Sequence, residues 1–183
     1  MHFSKLLLIV LLLFSIKAYG QQDVDFHLNA HLLSGKKVLK VKRDFHDPYL
    51  WALTTGNGVY RINSINLKVD DYTSVFAGYS NLQFVDIAGR SQDTVFVATN
   101  STNVIEYKKG VLRTIGQSDG LSGTVNEVGI DHTIERYVQV YYGLPILLIS
   151  TTTNIFLYDV RNEVVTSLEM DPGNNHLYET TSS

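Results

Sequence analysis

The chain of 183 residues has no cysteine, three prolines and one tryptophan, and it has no surplus of positive charge. Fifteen lysines and arginines stand against 18 aspartates and glutamates, a formal net charge of −3. Each shortage removes a class of function. Without cysteine there is no disulfide, no thiol nucleophile, no thiolate zinc site and no cysteine for lipid attachment. The fold must rest on an apolar core and backbone hydrogen bonds, which one domain of this length can supply. Without a concentrated basic face, nucleic acid and anionic membrane surfaces are poor partners. There is no phosphate-binding glycine loop and no dinucleotide-binding glycine pattern, and no segment after residue 20 carries a helical period. No cofactor is implied.

What is present begins with an apolar run. Lys5 precedes Leu6 to Ile16, LLLIVLLLFSI, and Lys17 and Ala18-Tyr19-Gly20 follow. A membrane span needs about 20 apolar residues, so this run is too short, whereas it suits the core of a secretory signal peptide. Cleavage is expected after Gly20, with the mature chain starting at Gln21. Residues 1–20 hold Lys5 and Lys17 and no acid, so the mature chain falls from 15 basic residues to 13 against 18 acids, a net charge of −5. Residues 21–35 form a lead-in.

From there the chain repeats. Leu50-Trp-Ala-Leu-Thr-Thr-Gly-Asn-Gly-Val-Tyr60 aligns without a gap on Val95-Phe-Val-Ala-Thr-Asn-Ser-Thr-Asn-Val-Ile105. With one deletion it also aligns on Leu147-Leu-Ile-Ser-Thr-Thr-Thr-Asn-Ile-Phe156. The recurring positions are Trp51, Phe96 and Leu148, and Thr54, Thr99 and Thr151; the threonines lie 45 and 52 residues apart. Such a period belongs to four-stranded propeller blades of about 40–50 residues. An alternating stretch leads each unit, at Val38–Asp44, Phe84–Arg90 and Val125–Asp131, placing Leu39 with Val41, Val85 with Ile87 and Val128 with Ile130 on one face. That period of two marks a strand with one buried side. Outer strands are expected at Leu67–Tyr72, Val111–Ile115 and Glu163–Leu168, and the third unit is lengthened by Ile134–Pro145. Gly56 and Gly58 are expected to supply positive φ in the first hairpin turn.

These observations predict an all-β fold with about three four-stranded antiparallel blades, at 36–80, 81–122 and 123–170 within a propeller region 36–175. A β-sandwich is the alternative. Residues 176–183 read as the start of a further blade or a tail. The apolar faces of three blades in an open arc call for cover, so further blades in the same chain, or other copies, are expected partners.

LWALTTGNGVYRI resembles the repeat of the two-component regulator propeller family, with Leu50, Trp51, Thr54, Gly56, Gly58, Val59 and Arg61 on its pattern. Ser118-Asp119-Gly120-Leu121 is similar to the Asp-Gly-Leu that opens many such repeats. Phe96 replaces the tryptophan in the second unit and Leu148 in the third, and both lack the turn glycines. The resemblance spans about residues 36–168. It implies a periplasmic or secreted propeller, as in the sensor halves of hybrid two-component systems and in propellers of Bacteroidetes-type secretion systems. In physical terms Trp51 is expected to pack between blades, since large aromatics are usually buried.

Sites for chemistry are sparse. His27 and His31 have helical i, i+4 spacing, but no glutamate or third ligand accompanies them, and a solvated lead-in is the simpler reading. Asp44, His46 and Asp47 read as a polar turn before Pro48, and Asp70-Asp71 as a charged edge that resists pairing with other chains. Asn100-Ser-Thr102 is a sequon only where the host glycosylates. No metal and no catalytic residue is assigned. The reading is a non-catalytic extracytoplasmic propeller that binds an unidentified ligand, a glycan among the classes, or a protein partner. The alternatives are an assembly propeller of the cell envelope or secretion apparatus, and an enzyme on a propeller scaffold. Membrane attachment would come only through a downstream segment.

Overall fold

In the computed structural model, residues 31–130, 146–170 and 177–180 are described, with side chains through residue 168. The chain divides into a unit of residues 1–31 and a unit of residues 32–183, and every element below belongs to the second. Gly20, Gln21, His27 and Ile134–Pro145 lie outside the described residues.

Three antiparallel sheets follow one another along the chain. The first has the order β1 (Val38–Arg43), β2 (Tyr49–Thr54), β3 (Gly58–Asn63), β4 (Val69–Asp71). The second has β5 (Phe84–Ser91), β6 (Thr94–Thr99), β7 (Val104–Lys108), β8 (Val111–Ile115). The third has β9 (Val125–Gly129), β10 (Ile146–Thr151), β11 (Ile155–Asp159), β12 (Val164–Met170), with β13 (Leu177–Thr180) added along β12 as a fifth strand. Each sheet is a meander of consecutive strands. A sandwich with Greek-key connections would exchange strands between sheets, and none is exchanged among the described residues. The leading strands β1, β5 and β9 lie side by side. These are three blades of a β-propeller.

The cores sit between blades. Trp51, Leu53 and Val59 of the first sheet meet Ile87, Val95, Val97 and Ile105 of the second. Phe96 and Ala98 on the second sheet's other face meet Val128, Leu147, Ile149, Phe156 and Tyr158 of the third. Strand alternation makes this possible: pairing of Trp51 with Arg61, of Phe96 with Glu106 and of Leu148 with Leu157 puts the three recurring positions on equivalent faces. Trp51 and Phe96 therefore face the following blade, and Leu148 lies on the third sheet's far side. Trp51 and Phe96 are wholly buried.

The recurring threonines close the hairpins. Thr99 Oγ1 donates to the carbonyl of Asn103 at 2.7 Å, and Thr151 Oγ1 to that of Asn154 at 3.0 Å. Thr54 Oγ1 reaches the Gly58 carbonyl at a long 3.5 Å. A hydroxyl at this position ties the end of the second strand to the start of the third, which accounts for its return in every unit.

Of the two turn glycines, Gly56 has the expected positive φ and Gly58 does not. Positive φ falls on Gly56 (77°) and Asn57 (63°), not on Gly58. Asn57 tolerates it because its side chain is fixed on both ends: Nδ2 donates to the Leu82 carbonyl at 2.6 Å and Oδ1 accepts from Phe84 N at 3.0 Å. Gly58 is needed for space, since a Cβ there would overlap the Thr54 hydroxyl and the Tyr60 ring. Gly89 on β5 has the same kind of role, because a methyl would overlap the Trp51 indole. Gly89→Ala is expected to cost about 1–3 kcal/mol by overpacking, read as a lower chemical-denaturation midpoint. An unchanged midpoint would show that the indole moves aside freely.

The leading strands are not equally covered. Ile87 and Val128 are wholly buried, whereas Leu39 (42% exposed) and Val41 (52% exposed) on β1 are open. The front of the first sheet carries Ala52, Tyr60 and Ile62, covered in part by Leu32 and Leu33. The outer strand of this sheet is also shorter than expected, because Leu67 turns at a φ of 61°.

Candidate functional site

At the hairpin-tip end of the first two blades lies an open groove of about 1040 Å³. Three pieces of chain build it: the Gly56-Asn57 turn, the 3₁₀ turn Thr73–Tyr79, and the run from Ser80 to Gln83 that enters β5. The Asn57 hydrogen bonds to Leu82 and Phe84 hold the first and third pieces together. Asn100 adds to this, accepting from Gln83 N through Oδ1 at 3.1 Å and donating its own N–H to the Gln83 carbonyl at 2.8 Å. Thr73 Oγ1 accepts from Val59 N at 3.2 Å and anchors the 3₁₀ turn. The walls are therefore fixed by bonds among themselves.

The lining is polar but nearly uncharged. Ser74, Ser80, Asn81 and Gln83 turn side chains to the groove that make no hydrogen bond among the described residues. Phe76 and Leu82 supply apolar surface. Asp71 is the one charged residue of the lining among the described residues; hydrogen bonds from Thr73 hold its carboxyl below the usual carboxylate range. Free amides and hydroxyls over an apolar floor can meet a neutral ligand rich in hydroxyls, with one fixed negative charge at the edge.

A second, buried polar cluster lies between the second and third blades, around Glu106 at the middle of β7. Glu106 is 2% exposed. Its Oε2 accepts from the Tyr158 hydroxyl at 3.0 Å, and its Oε1 has no partner among the described residues. Arg113 donates to the Tyr158 oxygen at 2.8 Å, to Asp119 at 2.7 Å and to Glu163 at 2.9 Å. Burial pushes the Glu106 carboxyl up, against the opposing pull of the Tyr158 hydrogen bond and of Lys108 and Arg113. Burial, then the Glu106 charge, pushes the Tyr158 phenol above its ordinary value.

The sign of the Glu106 effect follows from linkage. A carboxyl raised on folding binds a proton that the unfolded chain releases, so its contribution is complete below its ordinary value of 4.5 and is lost as pH rises through the raised value. Glu106→Gln keeps the acceptor for Tyr158 and removes the titration. The variant is expected to have a flatter stability profile from pH 4.5 to neutrality, measured as urea midpoints at several pH values. Parallel profiles for the two proteins would contradict this.

The residues singled out in the sequence have mainly architectural places. Trp51 Nε1 donates to Asp44 Oδ2 at 2.9 Å, and Asp44 Oδ1 accepts from the backbones of His46 and Asp47, both at 3.0 Å. Asp44 thus organises a turn and a buried indole. Asp47 Oδ2 accepts from Gln92 N at 2.6 Å. Asp70 pairs with Arg61 and Lys68, each at 2.9 Å, and hydrogen bonding from Arg61 comes first in lowering its carboxyl. Arg61 also lies over the rings of Tyr49 and Tyr72. His31 is exposed. Among the described residues no group of three or more acids and histidines is placed to hold a metal.

The expectation that no Gly-x-Ser-x-Gly occurs in the chain fails at one place. Gly116-Gln-Ser-Asp-Gly120 fits the letters Gly-x-Ser-x-Gly, the elbow of serine hydrolases. That elbow needs a strand, a sharp turn and a helix. Here the segment is the 3₁₀ turn Gln117–Asp119, and among the described residues the Ser118 hydroxyl reaches only Asp119, at 3.5 Å. Asp119 instead caps the Gly116 N–H at 2.9 Å and pairs with Arg113. The sequence also misses the groove and the Glu106 cluster, whose members are joined across 45 and 52 residues.

No protein-family model matches the chain. No curated protein matches it. Among solved structures it is similar to the extracellular domain of a one-component system from B. thetaiotaomicron, at 16% identity and a TM-score of 0.43, over 80% of this chain and 20% of that one. The chain thus spans about one fifth of the length of that neighbour.

Proposed function

We propose that this chain is an exported, non-catalytic β-propeller module that binds a neutral, hydroxyl-rich ligand in the groove at the hairpin tips, as the sensing part of a two-component-type regulator. The observation that carries the reading is the set of unpartnered Ser74, Ser80, Asn81 and Gln83 side chains beside Phe76 and Leu82 on a wall locked by Asn57. Rigid walls lower the ordering cost of binding. The apolar run Leu6 to Ile16 ahead of Ala18-Tyr19-Gly20 supports export, and the LWALTTGNGVYRI resemblance supports the regulator context. Among the described residues no helix is long and apolar enough to cross a membrane.

The test is titration of the full chain with neutral oligosaccharides by calorimetry. Saturable binding is expected, weakened about tenfold or more in Asn81→Ala/Gln83→Ala through loss of hydrogen bonds worth about 1 kcal/mol each. No binding by any neutral oligosaccharide, or binding indifferent to the double variant, would overturn the assignment. The exposed Val38, Leu39 and Val41 on β1 favour a second reading, an assembly propeller whose first blade is covered by another protein surface.

A further inference from the structure

Asn57-Gly58 is the one Asn-Gly pair in the chain, and both halves of its amide are spent across the interface of the first two blades. Nδ2 donates to the Leu82 carbonyl at 2.6 Å, and Oδ1 accepts from Phe84 N at 3.0 Å. The two bonds latch the tip of the first hairpin to the chain that enters β5. An amide fits this place because it carries a donor and an acceptor on one carbon, whereas an ionised carboxyl carries acceptors alone. With a carboxylate there, one oxygen would face the Leu82 carbonyl with no hydrogen between them.

Asparagine is among the thermolabile residues, and the chemistry is intramolecular. The backbone nitrogen of the next residue attacks Cγ, closes a five-membered imide and expels the side-chain nitrogen as ammonia. Water then opens the ring. Cleavage of the Cγ–N bond leaves aspartate, and cleavage of the backbone C–N bond leaves isoaspartate, with the chain running through Cγ. The net change is one water taken up and one ammonia released. A side chain on the attacking residue hinders ring closure, and Gly58 has none.

The latch opposes this reaction. Ring closure draws Cγ toward Gly58 N and away from Leu82 and Phe84. Gly58 is itself buried and opens β3 opposite Thr54. The reaction therefore needs the hairpin tip released from the second blade, a local opening of the kind native proteins undergo.

We propose that Asn57 is a self-modification site: release of the hairpin tip lets Asn57-Gly58 deamidate, and the carboxyl so formed cannot rebuild the bond to Leu82. A transient opening is thereby converted into a lasting one, and the groove wall that Asn57 locks stays loose. The inference rests on the latch and stands whether or not the groove binds a ligand.

The full chain is aged in mildly alkaline buffer, with and without urea, and digested for mass spectrometry. In native buffer Asn57 is expected to gain the mass of an amide turned to an acid, ahead of the other asparagines among the described residues. In urea its conversion should be at least fivefold faster. Asn57→Asp, made directly, is expected to lower the urea midpoint and to speed hydrogen exchange of the Leu82–Phe84 amides threefold or more. The ageing measurement needs no variant, so it decides even where Asn57→Asp folds poorly. Asn57 left intact in native buffer, equal rates in the two samples, or an Asn57→Asp chain with the parent's midpoint and exchange would overturn the proposal.

Discussion

Trp51→Ala is expected to lower stability by about 3–5 kcal/mol, as for other buried aromatics. The side chain is fully buried against the second blade, and its indole N–H is bonded to Asp44. Truncation leaves a cavity between blades and strips one partner from Asp44, which is 2% exposed and holds the turn to β2. Trp51→Phe separates these effects. It keeps an aromatic ring in the interface but loses the hydrogen bond, and its cost is expected to be about 1–3 kcal/mol. Circular dichroism melts and urea midpoints measure both variants. In the parent protein the single tryptophan should emit at short wavelength and resist iodide. A Trp51→Ala protein as stable as the parent would show that the blades do not depend on this contact.

Breaking the clamp among the leading strands is expected to have the next largest effect. Lys42 of β1 donates to Asp86 of β5 at 2.6 Å, to the Val128 carbonyl of β9 at 2.7 Å and to Glu127 at 3.2 Å. Asp86 in turn accepts from Val128 N at 2.9 Å. The Asp86 side chain is completely buried, and Lys42 is 25% exposed. Lys42→Met leaves a buried carboxylate without its cation, a change that costs about 3–5 kcal/mol in enclosed pairs. The exposure of Lys42 puts this case at the low end, about 3 kcal/mol, because water can screen part of the loss. Asp86→Leu alone strands the Val128 N–H and leaves Lys42 only the Val128 carbonyl and Glu127 among the described residues. The double variant is expected to cost less than the sum of the single changes. Additive losses would show that Lys42 and Asp86 act independently.

The strand plan was legible because each cue was local. Alternation in Phe84–Arg90 and the Thr54, Thr99 and Thr151 recurrence depend on residues a few positions apart, and these set the strands and hairpins. The Leu39/Val41 face was misleading, because alternation marks an apolar side but does not say what covers it. Gly58 was assigned to the right turn for the wrong reason: a letter G does not distinguish positive φ from close approach, and Asn57 can occupy the left-handed region as well. The candidate groove was not legible. Ser74, Asn81 and Gln83 sit in a connection without a pattern, and they acquire meaning only when Asn57 of the first hairpin bonds across to Leu82. Glu106 was equally hidden, since in the repeat it occupies the position of Arg61. One blade interface received a guanidinium there and the next a carboxyl, with Tyr72 beside the first and Tyr158 beside the second.

Because every sheet is drawn from one contiguous stretch of chain, each blade can complete its hydrogen-bond ladders without waiting for distant sequence. Pairing between neighbours in sequence closes short loops, which favours rapid local folding. A chain made N-terminus first would therefore lay down its first meander before the second is available, and each new blade would find a finished surface to condense on. Trp51 and Phe96, which face forward onto the blade that follows, remain uncovered longest in such an order. The intervals between successive blades are then the moments when the growing chain most needs protection from self-association.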